Sequence, residues 1–293
     1  MSYISGKKMI AHAVKHGYAV GAFSAHNLET AQAILDAAQE TQSPVMIQIG
    51  QRVINTHGIE TVKRVFDAAI ANYNIPVCIH LDHCHKYPQI VKAVSIGFDS
   101  VMFDGSQLDD QENIRITRQV VEIGHALGLG VEGEIGKIGG TEDDLSVDEK
   151  DALITTVAEA KSFVDATGVD YLAVSCGTAH GVYTQAPKLA LQRLAEIKEA
   201  TGTPLVLHGG SGIPDDQVKA AIKAGIAKVN VDTELRQAFI GGVGEFMSKT
   251  PEDFTLAFLM NTGKTRMKET VIEKIKLFGS VNQATSLLSD TEI

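Results

Sequence analysis

The 293-residue chain has few cysteines, no long apolar run and no excess of basic residues. Its three cysteines are too few for a disulfide framework. No segment has 18 consecutive apolar residues, which excludes a membrane-spanning helix. The first eight residues, Met-Ser-Tyr-Ile-Ser-Gly-Lys-Lys, lack the apolar stretch of a signal peptide. We therefore expect a soluble cytoplasmic protein without membrane contacts.

The charge balance is acidic and limits the possible partners. Lys and Arg number 26 against 36 Asp and Glu, which gives a net charge of −10. Because an acidic chain repels phosphate backbones, we expect neither nucleic acid nor an anionic membrane as a partner. A phosphorylated small molecule would have to bind through local backbone amides or a metal ion.

Short apolar runs alternate with amphipathic stretches along most of the chain, which is typical of an α/β protein with parallel strands. Since such barrels commonly have about 250 residues, the pattern predicts a (β/α)8 TIM barrel in a single domain over residues 1–293. A C-terminal helical extension is expected at about residues 234–293. The predicted strands are 19–23, 44–49, 76–82, 100–104, 130–135, 171–176, 204–208 and 228–231.

The stretches between the strands predict helices and one polar loop. Asn27 is a suitable N-cap for a helix that ends at Thr41, and Pro214 suits the first turn of another. After the eighth strand, helices are predicted over 234–248 and 264–278. Residues 136–144 combine glycines with acidic residues, so a flexible loop is expected there. It is either a lid that carries a catalytic carboxylate or a solvated connector.

Three histidines, His83, His180 and His208, lie where apolar runs end. In a parallel barrel the C-terminal strand ends converge, so these imidazoles could meet around one ion. Three neutral imidazoles with an open fourth position are the usual arrangement of catalytic zinc. Asp82 and His83 can both face the site only if the strand breaks there, because adjacent side chains alternate. His80, one layer deeper, and His85, beyond the strand end, are the competitors for His83. Four histidines in helical or loop patterns are interpreted as structural: His12, His16, His57 and His125.

Two polar segments follow the seventh and eighth strands. Residues 209–212 read Gly-Gly-Ser-Gly, and residues 230–233 read Asn-Val-Asp-Thr. The loops after these two strands often form the phosphate site of such barrels, with backbone N–H groups and a helix N-terminus. Ser211 and Thr233 add hydroxyl donors. A metal beside a phosphate site could hold a phosphorylated ketone whose carbonyl is to be polarised.

At these residues the sequence resembles the class II, zinc-dependent ketose-bisphosphate aldolases, of the fructose- and tagatose-bisphosphate type. Several motifs in order are more specific than any one of them. The matching stretches are His80-Leu81-Asp82-His83, Val101-Met102-Phe103-Asp104-Gly105-Ser106, Val131-Glu132-Gly133-Glu134-Ile135-Gly136, Gly139-Gly140-Thr141-Glu142-Asp143-Asp144, Gly177-Thr178-Ala179-His180-Gly181, Leu207-His208-Gly209-Gly210-Ser211-Gly212 and Val229-Asn230-Val231-Asp232-Thr233-Glu234.

The resemblance implies one catalytic zinc ion on the three histidines named above and roles for three other residues. Asp82 would exchange a proton with the aldehyde oxygen, and Glu142 would remove or return the carbon-bound proton of the ketose. Asn230 would hydrogen-bond the reacting ketose. A monovalent cation, Na⁺ or K⁺, and a homodimer or homotetramer are also implied. Asp104 and Glu134 match positions that the family associates with zinc movement or a second metal, although they could instead orient the histidines.

The resemblance also implies a substrate site, and departures from the family affect it. Ser24 stands where the family often has Asn, and Gln51-Arg52 replace a small hydroxyl residue. The Asp-Pro-Arg that often binds the distal phosphate has no counterpart near residues 255–257, so Arg52 or Arg266 would have to replace it. The implied substrate-binding residues are Ser24, Gly181, Gly209, Gly210, Ser211, Asn230, Val231, Asp232 and Thr233.

We therefore expect retro-aldol cleavage of tagatose or fructose 1,6-bisphosphate to dihydroxyacetone phosphate and glyceraldehyde 3-phosphate. A ketose 1-phosphate with an unphosphorylated aldehyde half is the alternative within the family. Outside it, a non-catalytic sugar-phosphate-binding barrel remains open. A zinc hydrolase is disfavoured because the first strand lacks the His-x-His pair that such enzymes often have.

Overall fold

A closed barrel of eight parallel strands forms the centre of the molecule, as the sequence pattern predicted. The computed structural model describes residues 3–136, 139–142, 145–147, 154–181, 183 and 187–291, with backbone alone for 139–142, 145–147 and 291. The barrel order is β1-β11-β10-β8-β5-β4-β3-β2. Its strands are β1 (Val20–Ser24), β2 (Val45–Ile49), β3 (Val77–Cys84), β4 (Ser100–Phe103), β5 (Gly130–Ile135), β8 (Tyr171–Val174), β10 (Leu205–Leu207) and β11 (Ile226–Val231).

Helices surround the barrel, and further helices follow the last strand. The predicted N-cap at Asn27 is present, with a reciprocal hydrogen-bond pair to Thr30. The last long helix begins at Leu256, eight residues before its predicted start at 264. The helices are α1 (Gly6–His16), α2 (Leu28–Thr41), α3 (Gln51–His57), α4 (Ile59–Ile70), α5 (Tyr87–Ser95), α6 (Asp110–Ala126), α7 (Val157–Thr167), α8 (Leu191–Thr201), α9 (Asp215–Lys223), α10 (Thr233–Lys249), α11 (Leu256–Phe278) and α12 (Ala284–Thr291).

The segment after β5, expected to be a loop, contains two short strands. These are β6 (Gly139–Glu142) and β7 (Leu145–Val147), which pair antiparallel. β6 also pairs in parallel with β9 (Ala179–His180), so that Gly140 lies opposite His180. The loop prediction was wrong here because backbone pairing with a distant segment outweighs the low strand propensity of glycine.

Alternation along the strands divides the core into two parts. Phe23 and the outward-facing apolar residues of the other strands pack between the barrel and the helices. Val20 and Ala22 belong to a separate cluster that includes Met9 and Ile10 of α1, so this helix packs against one end of the barrel interior. Further along the strands, inward positions are polar and fully buried, among them His80. The barrel interior is therefore apolar at one end and polar towards the other.

The outer end of the α10–α11 helix pair is apolar and exposed. Met247, Phe254, Leu256 and Phe258 are each at least 59 % exposed. Clusters of this kind are typical of surfaces that contact another chain. The homodimer or homotetramer stays a prediction.

Among the described residues, no helix combines the length and apolar character that crossing a membrane requires.

Candidate active site and metal centre

Three imidazole rings meet at the polar end of the barrel. His83 lies near the end of β3, His180 is in β9, and His208 directly follows β10. Their ring centroids are 4.7 to 5.8 Å apart. One nitrogen from each ring can be chosen so that all three lie within 4.8 Å of one another. The structure thus brings together residues that are up to 125 positions apart in the chain.

A backbone irregularity places His83 in this cluster. Its φ angle is +43°, which is rare for a residue with a Cβ. The pairing of β3 with β4 shifts register between Leu81 and Cys84. A local break of this kind interrupts the alternation of side chains. The strand therefore breaks where the sequence required it, and Asp82 and His83 are both buried at the same end of the barrel.

Carboxylates orient two of the three rings. Nδ1 of His83 lies 2.9 Å from Asp104, and Nε2 of His208 lies 2.8 Å from Glu132. Burial raises the pKa of both carboxyl groups, but neighbouring hydrogen bonds and cations lower it more. The net pKa of Asp104 is well below its usual value, and that of Glu132 is about 2. Both carboxylates are therefore charged and accept hydrogen bonds from imidazole N–H groups.

The opposite nitrogen of His208 is suited to a metal. Its Nδ1 is buried and makes no hydrogen bond among the described residues. Burial lowers the pKa of this imidazole, which keeps the ring neutral. A neutral imidazole whose other nitrogen donates to a carboxylate is the usual form of a zinc-ligating histidine. The residues present therefore fit a zinc ion.

The second predicted metal position overlaps the first. His83, Asp104 and Glu134 also offer ligand atoms within 4.8 Å of one another. However, Asp104 already accepts hydrogen bonds from His83 and from the hydroxyl and backbone N–H of Ser106. The geometry supports an orienting role for Asp104, and occupation by a second ion stays a prediction.

Asp82 and Asn230 lie beside the histidine cluster. The amide nitrogen of Asn230 is 3.4 Å from Asp82 Oδ1, and Nε2 of His80 is 3.6 Å from the same oxygen. Asn230 Oδ1 is buried without a hydrogen-bond partner among the described residues. A polar group in this state can accept a hydrogen bond from a bound ligand. The side chain of Glu142 lies outside the described residues, and only its backbone in β6 is placed.

A small pocket adjoins the histidine cluster. It contains most of the predicted substrate-binding residues, but the side chain of Val231 packs into the outer core instead. A Cβ at Gly209 or Gly210 would collide with the backbone oxygen of Ala179 or Asn230, respectively, so both positions require glycine. The N-terminus of α10 begins at the pocket. The pocket is lined by Ser24, His180, Gly181, Gly209, Gly210, Ser211, Asn230, Asp232, Thr233 and Arg236.

Sequence reasoning missed several polar residues of this region. Lys228 opens the predicted eighth strand, and its buried ammonium lies 2.7 Å from Glu132. It therefore connects to His208 through one carboxylate. His26 and Arg236 were also missed; each lies 2.8 Å from the predicted Asp232, whose side chain is therefore already engaged at the pocket edge. Strand alternation could have identified Glu132 and Lys228. Each lies two positions before a predicted site residue, Glu134 or Asn230, and so faces the same side of its strand.

The fold and the site define a class II aldolase, and comparisons with known proteins agree. The family model for class-II fructose-bisphosphate aldolase matches residues 4–283. This chain belongs to that family, and it is an aldolase.

Individual relatives cover nearly the whole chain. A sulfofructosephosphate aldolase from Alkalicoccus urumqiensis is 54 % identical, covering 97 % of this chain and 99 % of its own. The crystal structure of the YdjI aldolase from Escherichia coli K12 is 35 % identical with a TM-score of 0.85, covering 96 % and 99 %. That of a putative fructose-1,6-biphosphate aldolase from Coccidioides immitis is 31 % identical with a TM-score of 0.86, covering 96 % and 98 %.

Proposed function

We propose that this chain is a zinc-dependent aldolase that cleaves a ketose 1-phosphate carrying a sulfonate at its other end. The 54 % identity to a protein named sulfofructosephosphate aldolase carries this choice of substrate. The products are dihydroxyacetone phosphate and a three-carbon aldehyde that retains the sulfonate. Fructose or tagatose 1,6-bisphosphate is the second candidate, favoured by the name of the matching family model.

His83, His180 and His208 would hold the zinc ion, with Asp104 and Glu132 orienting the first and last of them. When bound, zinc supplies Lewis-acid polarisation of the ketose carbonyl. This role requires an open coordination position, which a three-histidine site provides.

The proton transfers are assigned to two carboxylates. Asp82 takes the proton of the C4 hydroxyl as the C3–C4 bond breaks and the aldehyde forms. The electron pair of that bond passes to C3, which then receives a proton from Glu142. The Asn230 amide lies 3.4 Å from Asp82, where it can hydrogen-bond a ketose oxygen. Asp82 is only 5 % exposed, so bulk water does not compete strongly for its proton.

The pocket beside His180 is assigned to the phosphate. Its glycines allow the backbone to approach an anion closely, and the N-terminus of α10 favours negative charge. Ser211 and Thr233 supply hydroxyl groups at its rim. These local donors offset the acidic charge of the whole chain.

Arg52 is assigned to the sulfonate. The choice between the two arginines considered from the sequence follows from position, since Arg266 is on the surface of α11. Arg52 is in α3, which directly follows the C-terminal end of β2. Its neighbour Gln51 donates a hydrogen bond to the backbone oxygen of Asp82, which places α3 at the mouth of the site. A guanidinium there can pair with an anionic group on the aldehyde half.

The test measures dihydroxyacetone phosphate released in the presence of zinc. The substrates are 6-deoxy-6-sulfofructose 1-phosphate, fructose 1,6-bisphosphate, tagatose 1,6-bisphosphate and fructose 1-phosphate. We expect the highest kcat/KM for the sulfonated ketose. A higher value for a bisphosphate would overturn the sulfonate assignment, and no turnover of any substrate would overturn the aldolase mechanism.

Replacing Arg52 by Ala should lower kcat/KM for the sulfonated ketose by about 10- to 100-fold, because a charge-assisted hydrogen bond is lost. The value for fructose 1-phosphate, which has no distal anion, should change by less than about threefold. Arg266→Ala is the matched control and should leave both values unchanged. Equal losses on both substrates after Arg52→Ala would contradict the assignment.

A further inference from the structure

A second cluster of potential metal ligands lies far from the aldolase site. It consists of His12 and His16 in α1 and Asp290 in α12, whose ligand atoms lie within 4.8 Å of one another. The N-terminal residue of α1, Gly6, donates its amide hydrogen to the oxygen of Asp99, just before β4 begins. The cluster is therefore at the N-terminal end of the barrel, opposite the catalytic histidines.

His12 is held as a metal ligand would be. The residue is 4 % exposed, and its Nδ1 lies 2.9 Å from the hydroxyl oxygen of Tyr18. Its Nε2 is buried and makes no hydrogen bond with any described residue. If Nδ1–H donates to Tyr18, the lone pair is on Nε2.

His16 and Asp290 complete the cluster at the surface. The two histidines are four positions apart, so they lie on the same face of α1, and their ring centroids are 4.1 Å apart in a stacked arrangement. Nε2 of His16 is 3.8 Å from Oδ2 of Asp290. Two histidines at this spacing on one helix face are a recurrent zinc-binding arrangement. The same carboxylate oxygen also pairs with Lys15, whose side chain is 64 % exposed and can move into solvent.

We propose that His12, His16 and Asp290 form a structural site for a divalent transition-metal ion such as zinc. Two imidazoles and a carboxylate are suitable ligands for zinc, and the exposed side of the cluster leaves room for water as the fourth. The ion would connect the last helix to the first. Leu287 of α12 belongs to the same buried cluster as Met9 and Ile10 of α1, so metal binding would reinforce an existing association of the two helices.

The test counts zinc ions by titrating the purified, metal-free chain in competition with a chromophoric chelator. The wild-type chain should bind one more equivalent than His16→Ala or Asp290→Ala. His57→Ala, which removes an exposed histidine of α3, is the matched control and should bind as many ions as the wild type. Equal stoichiometry in the wild type and both site variants would overturn the proposal.

Thermal unfolding provides a readout that is independent of stoichiometry. An ion that binds only the folded chain raises Tm as its concentration rises. Zinc added beyond saturation of the catalytic site should raise Tm in the wild type and in His57→Ala, but not in His16→Ala. An equal rise in Tm in the wild type and both variants would contradict the proposal. Aldolase activity should be the same in all three, so failure here is separable from failure of the proposed reaction.

Discussion

Replacing Lys228 by Met should lower the free energy of unfolding by about 3–5 kcal/mol, because it leaves a buried charge uncompensated. Lys228 and Glu132 are both fully buried and their charged atoms are 2.7 Å apart. Methionine has nearly the same length but no charge, so Glu132 would keep only its histidine partners. Urea-induced unfolding of the metal-free protein measures the effect.

Lys249→Met is the matched control for this substitution. Lys249 also pairs with a glutamate, Glu245, but its side chain is 71 % exposed. Because solvent screens such pairs, the loss should be below about 1 kcal/mol. Equal effects of the two substitutions would show that burial does not make the Lys228 pair stronger.

The pH dependence of stability offers a second check on Lys228. The pKa of Glu132 is lowered from its ordinary 4.5 to about 2, since Lys228 and His208 outweigh the effect of burial. Because the carboxylate is favoured in the folded state, it stabilises the fold fully above about pH 4.5. This stabilisation is lost as the pH falls towards 2. The difference between wild type and Lys228→Met should therefore shrink below pH 4.5. A constant difference from pH 7 to pH 3 would contradict this account.

Asp82→Asn should reduce kcat by about 10²- to 10⁴-fold, the usual contribution of a general acid–base group. Asparagine has the same shape but cannot take the C4 hydroxyl proton. The zinc content should be unchanged, because Asp82 is not one of the three histidines proposed to bind zinc. Measurement of dihydroxyacetone phosphate release and of bound zinc on the same preparation separates the two effects.

Asp165→Asn is the control for that substitution, since Asp165 is exposed and pairs only with Lys161 among the described contacts. Its kcat should equal that of the wild type. A kcat of Asp82→Asn within tenfold of the wild type would exclude Asp82 as the group that moves this proton. Loss of zinc together with activity would instead assign Asp82 to the metal site.

Much of the fold could be predicted because it depends on local pattern. Apolar runs covered on both faces, separated by amphipathic stretches, lead to parallel strands and helices. The start of α2 followed from one side chain, Asn27, that satisfies free N–H groups of the first turn. The small sheet of β6, β7 and β9 could not be predicted, because its pairing joins segments about 40 residues apart.

The arrangement of the site depended partly on long-range contacts. The positions of His83, His180 and His208 at strand ends were evident from the sequence, and the need for a break at His83 followed from side-chain alternation. The size of that break, with φ at +43°, depends on pairing with β4. His12 and His16 were interpreted as structural, since nothing local indicates that Asp290 lies beside them.

By itself, the sequence determined the barrel, the aldolase family and the residues that end each strand, because periodicity and short motifs are properties of neighbouring residues. Only the tertiary structure decided that Lys228 supports Glu132, that Arg266 is engaged elsewhere, and that the two ends of the chain place histidines and a carboxylate together. These relations depend on which distant side chains share a buried space, and distance along the chain carries no information about that.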